Sequence, residues 1–228
     1  MLAGVAMVLL RWPIVGRRSE LEVFERTLTS GEYAGLVIHG RAGVGKTRLA
    51  DECLDQAAAS GHPTERVVGS RTTALLPLGA VAALLADGLG RSGPDGQDHA
   101  PALFEQTRRA LHQRHCGRRL VIVADDVSLL DDVSLALLGY LAVQGTIFLI
   151  ATVRTGEPVP DLLTDLWRDG RLERVDLHDL SRAHLDTLLH LALGGPIEAG
   201  AGQEFWEVTR GNPLYVHELV LGLSLIHI

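Results

Sequence analysis

The sequence has few cysteines, no excess of basic residues and no long apolar run. Its two cysteines, Cys53 and Cys116, match no disulfide framework and no CxxC spacing, which favours a reduced, cytoplasmic setting. A formal net charge of −7 provides no electrostatic footprint for nucleic acid, so we expect no direct nucleic-acid binding by this chain. A transmembrane helix needs roughly 20 apolar residues, and no segment approaches that length, so we predict no membrane partner.

The two ends of the sequence differ from the rest. The N-terminal run MLAGVAMVLLRW lacks a basic n-region and a clean cleavage site, so we predict an N-terminal extension over residues 1–13 that starts at Met1 or Met7. The final LSLIHI matches what a common transposase mosaic-end adapter encodes in one reading frame, and we predict a non-native tail over residues 223–228. The alternative is the apolar end of an ordinary helix.

Strand and helix patterns alternate over residues 14–178. The runs GLVIHG (35–40), RLVIVADD (119–126) and TIFLIATVR (146–154) are almost continuously apolar, which is typical of parallel strands covered on both faces. ERVVGSRTT and RLERVDLHDLS indicate two further strands, and helical spacing separates the runs. We therefore predict a doubly wound α/β core with a parallel sheet of about five strands.

Helical patterns precede and follow this core. RRSELEVFERTLTSGE indicates an amphipathic helix with a capping box of Ser19 and Glu22 at its start and Gly31 at its end. From Ser181 onward only helical patterns remain, so we predict an incomplete helical lid subdomain over residues 179–222. We expect an incomplete lid to leave apolar side chains short of partners: Phe205, Trp206, Leu219 and Val220.

The segment GRAGVGKT fits the pattern G-x-x-x-x-G-K-[ST] and stands between a predicted strand and a predicted helix. Glycines allow successive backbone N–H groups to surround a phosphate, and the helix start adds partial positive charge. Lys46 would reach the β- and γ-phosphates, and the Thr47 hydroxyl would bind Mg²⁺. The alternative is a glycine-rich loop that matches by chance. We predict a P-loop NTPase core that binds ATP or ADP through Gly40, Arg41, Ala42, Gly43, Val44, Gly45, Lys46, Thr47 and Arg48.

Charged side chains end two of the buried strands. Asp125 and Asp126 close LVIVADD at the carboxyl edge, where open α/β sheets bind ligands. We assign Asp125 to Mg²⁺ and Asp126 to polarising the attacking water; the alternative is an Asp pair that caps the next helix. Arg154 closes the next strand, where a cation would lie beside the γ-phosphate. The alternative is an exposed arginine paired with Glu157. The predicted catalytic residues are thus Asp126, Lys46 and Arg154.

Five ordered segments resemble the signal-transduction ATPases with numerous domains: IVGRRSEL, GRAGVGKT, LVIVADDVSLLDD, LIATVR and GNPLYVHEL. They are most similar to the N-terminal ATPase module of the large ATP-binding LuxR-type transcriptional regulators of actinobacteria. This resemblance implies that Val15, Gly16 and Arg17 contact the adenine and ribose. It also implies that Pro213 of the lid packs on the base, with Asn212 capping the helix behind it. The alternative is a structural role, in which Gly211 ends one helix and Asn212-Pro213 starts another.

The resemblance implies an ATP-binding, slowly hydrolysing switch module of a signal-responsive transcriptional regulator. Its output and DNA-binding domains would lie outside this fragment, and a homo-oligomer is possible for the full-length protein. Two alternatives belong to other classes. One is an AAA+ ATPase that does remodelling work, as origin-recognition proteins do, and the other is a nucleotide-binding module without turnover.

Overall fold

A five-stranded parallel sheet forms the centre of the computed structural model, which describes residues 12–70, 76–85 and 100–226. The strand order is β2-β3-β4-β1-β5, and all four neighbouring pairs are parallel. This confirms the predicted α/β class with about five strands. The strands are β1 (Gly35–Gly40), β2 (Thr64–Val68), β3 (Leu120–Asp125), β4 (Ile147–Arg154) and β5 (Leu172–Leu177).

Helices connect the strands and continue after the last one. Those of the core are α1 (Arg18–Ser30), α2 (Lys46–Ala59), α3 (Ala82–Leu85), α4 (Ala100–Arg114), α5 (Asp132–Val143) and α6 (Asp161–Arg168). After β5 the described chain is helical, with α7 (Arg182–Leu193), α8 (Ala199–Thr209) and α9 (Pro213–Ile226). None of the described helices combines the length and the apolar character that crossing a membrane requires. The domain limits near residues 13, 178 and 222 stay predictions.

Both faces of the sheet are covered, as the apolar strand runs predicted. Leu36 and Ile38 of β1 belong to a buried cluster that includes Phe24 of α1 and Leu49 of α2. The intervening Val37 belongs to a second cluster, which α4, α5 and α6 cover on the opposite face. Because side chains alternate between the two faces of a strand, a strand in such a sheet needs apolar residues at every position.

The strand register brings four chain segments together at the carboxyl edge of the sheet. Gly40, which begins the glycine-rich loop, lies opposite Arg154 of β4. Val68 at the end of β2 lies opposite Asp125 at the end of β3. Since β4 separates β3 from β1, the acidic strand end faces the loop across one intervening strand.

The start of α1 differs from the predicted capping box. Arg17 occupies the N-cap position, where no described side chain caps the helix, and Ser19 lies inside α1 with its hydroxyl donating to Glu20 over 2.7 Å. Glu22 pairs with Arg18 instead, at 2.9 Å. The capping box is therefore wrong, because backbone carbonyls elsewhere in the fold hold Arg17 at the helix start. Gly31 ends α1 in the left-handed conformation, as predicted.

The three helices α7, α8 and α9, called the lid from here on, have a buried core of their own. It contains Leu180, Leu185, Leu188, Leu189, Phe205, Val216 and Val220, and Trp206 and Leu219 pack against it. The prediction that Phe205, Trp206, Leu219 and Val220 lack partners is therefore wrong. Trp12 and Val15 of the N-terminal segment also pack against this cluster, and they supply apolar surface that the lid helices alone would not have.

Candidate functional site

The glycine-rich loop joins β1 to α2 through two residues with positive φ. Gly43 has φ +76° and Gly45 has φ +97°, a region that residues with a Cβ rarely adopt. Gly45 is the N-cap of α2, and no described side chain occupies its capping position. The first N–H groups of α2 therefore point into the loop without a side-chain partner, which is the arrangement that binds anions at helix N-termini.

Lys46 is the first residue of α2 and is buried with its ammonium inside the loop. Its Nζ donates to the carbonyl of Gly40 at 2.9 Å and to that of Arg41 at 3.0 Å. Burial lowers the pKa of Lys46, while the negative charge of Asp126 opposes that shift. The only lysine of the chain thus lies between the loop and the acidic end of β3.

The carboxylate of Asp125 connects three elements at the end of β3. Its Oδ1 accepts hydrogen bonds from Thr47 Oγ1 of α2 at 3.2 Å and from Thr152 Oγ1 of β4 at 2.6 Å. Its Oδ2 accepts from Arg66 Nη1 of β2 at 3.1 Å. The structure therefore brings together Thr47 and Asp125, the predicted metal ligands, as a hydroxyl beside a carboxylate. Mg²⁺ prefers such oxygen donors, so the residues present fit this metal.

Asp126 has a left-handed backbone, with φ 49° and ψ 60°. This conformation costs a non-glycine residue roughly 1–2 kcal/mol, and Asp is among the residues that tolerate it. Burial, together with the neighbouring charge of Asp125, raises the pKa of Asp126 above its usual value. As to the alternative of an Asp pair that caps the next helix, Asp126 occupies the N-cap position of the 3-10 turn Val127–Leu129, but its side chain makes no capping hydrogen bond there. Asp131 caps α5 by accepting the Ser134 N–H at 2.9 Å.

Thr152 is a site residue that the sequence analysis missed. It is fully buried in β4, and its Oγ1 donates to Asp125 while accepting the Asp126 N–H at 2.9 Å. The Thr152 hydroxyl thus orients both the side chain of Asp125 and the backbone of Asp126. The signal in the sequence is Thr152 itself, a lone polar residue between Ile147 and Val153 in an apolar strand.

Arg154 is paired and faces the site at the same time. Its side chain is half exposed, and Nη1 lies 3.5 Å from Oε1 of Glu157, as the alternative interpretation predicted. Ser128 donates to the other oxygen of Glu157 at 2.6 Å, and this hydrogen bond, with the pairing to Arg154, lowers the pKa of Glu157. The phosphate-facing role of Arg154 stays a prediction. Arg154 also lines the cavity beside Lys46 and Asp126.

The lid is hydrogen-bonded directly to the glycine-rich loop. Asn212 Nδ2 donates to the Ala42 carbonyl at 3.1 Å, and the Leu214 N–H donates to the Gly43 carbonyl at 3.2 Å. Asn212 Oδ1 accepts the same Leu214 N–H at 3.1 Å, which confirms that Asn212 caps α9. The bond to Ala42 could not be predicted from the sequence, because it joins residues that are distant along the chain.

The N-terminal segment is attached to the other side of the loop. Arg17 Nη2 donates to the carbonyls of Val44 at 3.1 Å and His178 at 2.7 Å, and burial lowers the pKa of this guanidinium. Gly16 packs against the ring of His184. Arg17 Nη2 is thus engaged with backbone and its Nη1 with Glu20 Oε1 at 3.4 Å, and the contact of Arg17 with adenine or ribose stays a prediction.

A cavity of about 780 Å³ lies between the loop, the lid and the N-terminal segment. Small-molecule sites usually occupy about 300–1,000 Å³. Its lining includes most predicted site residues: Val15, Arg17, Ala42, Gly43, Val44, Gly45, Lys46, Thr47, Arg48, Asp126, Arg154 and Pro213. Four predicted residues lie outside this lining: Gly16, Gly40, Arg41 and Asp125. Lining residues that were not predicted include Trp12, Asp51, Leu129, Glu157, Leu214 and His217.

Aromatic side chains from two segments meet at this cavity. The rings of Trp12 and His217 of α9 form an edge-to-face pair with centroids 5.0 Å apart. The Trp12 carbonyl accepts from Arg48 Nε at 2.9 Å, so the N-terminal segment is also fixed to α2. Pro213 lines the same cavity, and its packing against a base stays a prediction.

Comparison with known sequences identifies a family for most of the core. Residues 13–150 match the family described as the AAA ATPase domain. The matched segment includes the glycine-rich loop and the acidic end of β3. No curated protein sequence matches the chain.

Several solved structures share the fold. The ORC1 protein of Aeropyrum pernix, in complex with DNA, has a TM-score of 0.63 and 15% identity over 91% of this chain and 59% of its own. AMPPCP-bound DnaA from Aquifex aeolicus has a TM-score of 0.61 and 18% identity over 93% of this chain and 63% of its own. Domain III of the Thermotoga maritima replication initiation protein DnaA has a TM-score of 0.62 and 15% identity over 92% of this chain and 84% of its own. At these identities the likeness shows the fold alone, and this chain spans about three fifths of the first two chains.

The contact between lid and loop can be tested at the two positive-φ glycines. A Cβ at Gly43 would lie 2.6 Å from Asn212 Oδ1 and 2.8 Å from Leu214 Cβ, whereas a Cβ at Gly45 would meet no atom within 4 Å. Both Ala substitutions strain the backbone, but only Gly43→Ala should displace the lid. We expect amide hydrogen exchange at the start of α9 to accelerate by about tenfold or more in Gly43→Ala, since lost hydrogen bonds cost about 1–3 kcal/mol. Equal exchange in the Gly45→Ala control would contradict this assignment.

Proposed function

Because the chain belongs to the family of AAA ATPase domains, we propose that it is an ATP- and Mg²⁺-binding switch module whose lid transmits the nucleotide state. The observation that carries this proposal is the attachment of the lid to the loop through Asn212 and Leu214. A ligand that reshapes the loop changes the carbonyls of Ala42 and Gly43, to which the lid is bonded. The lid arrangement is therefore coupled to what the loop holds.

The residues of the site have separable roles in this proposal. The loop amides and Lys46 bind the phosphates, and the Thr47 hydroxyl and Asp125 hold the metal. Mg²⁺, when bound, neutralises phosphate charge as the terminal group is transferred. Asp126 orients a water and accepts its proton, and its raised pKa makes it a stronger base than an ordinary aspartate. Arg154 faces the terminal phosphate.

For the output of the module, we propose a regulator of the LuxR type, in which a slow ATPase controls the population of an active state. Its support is the order of the five segments that resemble this family. Those segments lie at residues 14–21 before and within α1, at the loop, at the acidic end of β3, at the end of β4 and at the start of α9. Slow hydrolysis is enough for such a switch, because the output is a population of states.

A second candidate is an AAA+ ATPase that does remodelling work, as replication initiators are expected to do. The structural comparisons favour this candidate over the regulator, since the similar folds include ORC1 and DnaA. Remodelling ATPases of this kind generally complete their site with an arginine from a neighbouring subunit. The two candidates therefore differ in whether hydrolysis depends on assembly.

The first test removes the phosphate-binding ammonium. Lys46→Ala should weaken ATP binding by about 10- to 100-fold or more, because hydrogen bonds to charged groups contribute about 1.5–3 kcal/mol. Equilibrium binding of a fluorescent ATP analogue measures this loss. Arg168→Ala is the matched control, since that side chain of α6 is largely exposed, pairs with Asp165 and lies outside the cavity lining. Equal affinities of the two variants would argue against a phosphate at Lys46.

The second test separates binding from hydrolysis. Asp126→Asn should bind ATP with nearly unchanged affinity. Its rate of hydrolysis should fall by about 100-fold or more, since general bases contribute about 10²–10⁴-fold. Single-turnover phosphate release measures the rate. Asp132→Asn, on the exposed first turn of α5, serves as a control. Turnover at the parental rate in Asp126→Asn would show that another group positions the water.

The third test distinguishes the two candidates for the class of ATPase. A switch that acts as a single module should hydrolyse ATP at a rate per molecule that is independent of protein concentration. A remodelling ATPase that borrows an arginine should show a rate per molecule that rises with concentration. Steady-state phosphate release over a hundredfold range of protein concentration decides between them, with sedimentation velocity reporting assembly at each point.

A further inference from the structure

Arg66 of β2 extends its guanidinium between two carboxylates at the metal end of the site. Its Nη1 donates to Asp125 Oδ2 at 3.1 Å, and its Nη2 forms an ion pair with Asp51 of α2. We infer that Arg66 is a positioning residue for the Mg²⁺ site, which fixes the carboxylate of Asp125 with Oδ1 toward Thr47. This inference rests on the proposed ATP and Mg²⁺ function.

The partners of Asp125 explain why a second anchor matters. Thr47 and Thr152 both bind Oδ1, and the torsion that turns an aspartate carboxylate is broad. Hydroxyl bonds to one oxygen leave the carboxylate free to swing about that oxygen. Arg66 holds the other oxygen, so the carboxylate plane has partners at both ends.

Arginine suits this position because its planar guanidinium presents donors in a fixed fork. Asp51 lies four residues after Thr47, on the same face of α2, so the fork connects β2 to the helix that carries the metal-binding hydroxyl. Asp51 lines the cavity, whereas Arg66 does not. Arg66 therefore acts through its two acidic partners and not by direct contact with the nucleotide.

The charge of Arg66 also stabilises the acidic cluster. Asp51 and Asp125 each pair with the same guanidinium, so one cation lies against two like charges that would otherwise repel. One guanidinium held by both carboxylates removes that repulsion and keeps each carboxylate in a defined orientation. Loss of the guanidinium should therefore affect the metal more than it affects the phosphates, which bind the loop and Lys46.

The test measures ATP affinity in EDTA and across a Mg²⁺ titration, using a fluorescent ATP analogue. Arg66→Met should keep the affinity in EDTA within about twofold and raise the Mg²⁺ concentration for half-maximal effect by about tenfold or more. Arg66→Lys should lie between this variant and the parent, since an ammonium keeps the charge but loses the fork. Asp51→Asn should shift the Mg²⁺ dependence in the same direction by a smaller factor.

The matched control is Arg119→Met. Arg119, the residue before β3, is another partly buried arginine, which donates to the carbonyls of Tyr33 at 2.6 Å and Ile147 at 3.0 Å and lies over the ring of Phe148. This variant should lower the melting temperature and leave the Mg²⁺ dependence unchanged. A lower stability alone should therefore not raise the Mg²⁺ concentration for half-maximal effect, as we expect of Arg66→Met.

The outcomes separate this inference from the proposed function. If Arg66→Met and Arg66→Lys both keep the parental Mg²⁺ dependence, Arg66 does not position the metal ligand. If the parent binds ATP but Mg²⁺ has no effect, this inference is overturned and ATP binding stands. A parent that binds no ATP overturns both. If Arg66→Met does not fold, the Arg66→Lys and Asp51→Asn shifts decide the question.

Discussion

The site depends on the carboxylate of Asp125, which joins three parts of the core at one point. Strand order makes this necessary: β4 lies between β3 and β1, so the acidic strand end cannot contact the loop as a direct neighbour. Thr152 of the intervening strand fills that gap with a hydroxyl, and Thr47 reaches the same oxygen from α2. Since Thr152 also holds the Asp126 N–H, the metal ligand and the water-orienting residue are fixed together.

The glycine-rich loop is the second point at which separate segments converge. Arg17 binds the Val44 carbonyl from the N-terminal side, and the lid binds the carbonyls of Ala42 and Gly43 from the other side. These bonds use carbonyls of the loop and not its N–H groups, of which that of Val44 donates to the Arg41 carbonyl at 3.5 Å. The same few residues can therefore bind phosphate and hold both flanking segments, which is the physical basis for a switch.

The sequence predicted those parts of the structure that depend on local pattern. The strands β1, β3 and β4 were recognisable because burial on both faces requires continuous apolar runs, and the loop was recognisable because its chemistry lies in consecutive residues. The capping box of Ser19 was wrong because a tertiary contact of Arg17 decides where α1 begins. The roles of Thr152 and Arg66 were missed for a related reason. Their partners are set by strand order and register, which a single sequence does not specify.

The central claim is that a nucleotide places its phosphates on the loop and its metal between Thr47 and Asp125. Crystals grown with a non-hydrolysable ATP analogue and Mn²⁺ in place of Mg²⁺ test it most directly, because Mn²⁺ gives an anomalous signal. The account predicts one strong anomalous peak beside Thr47 Oγ1 and the Asp125 carboxylate, with the phosphates against the N–H groups of residues 43–47. Phosphates bound elsewhere, or a metal peak away from these two side chains, would contradict it.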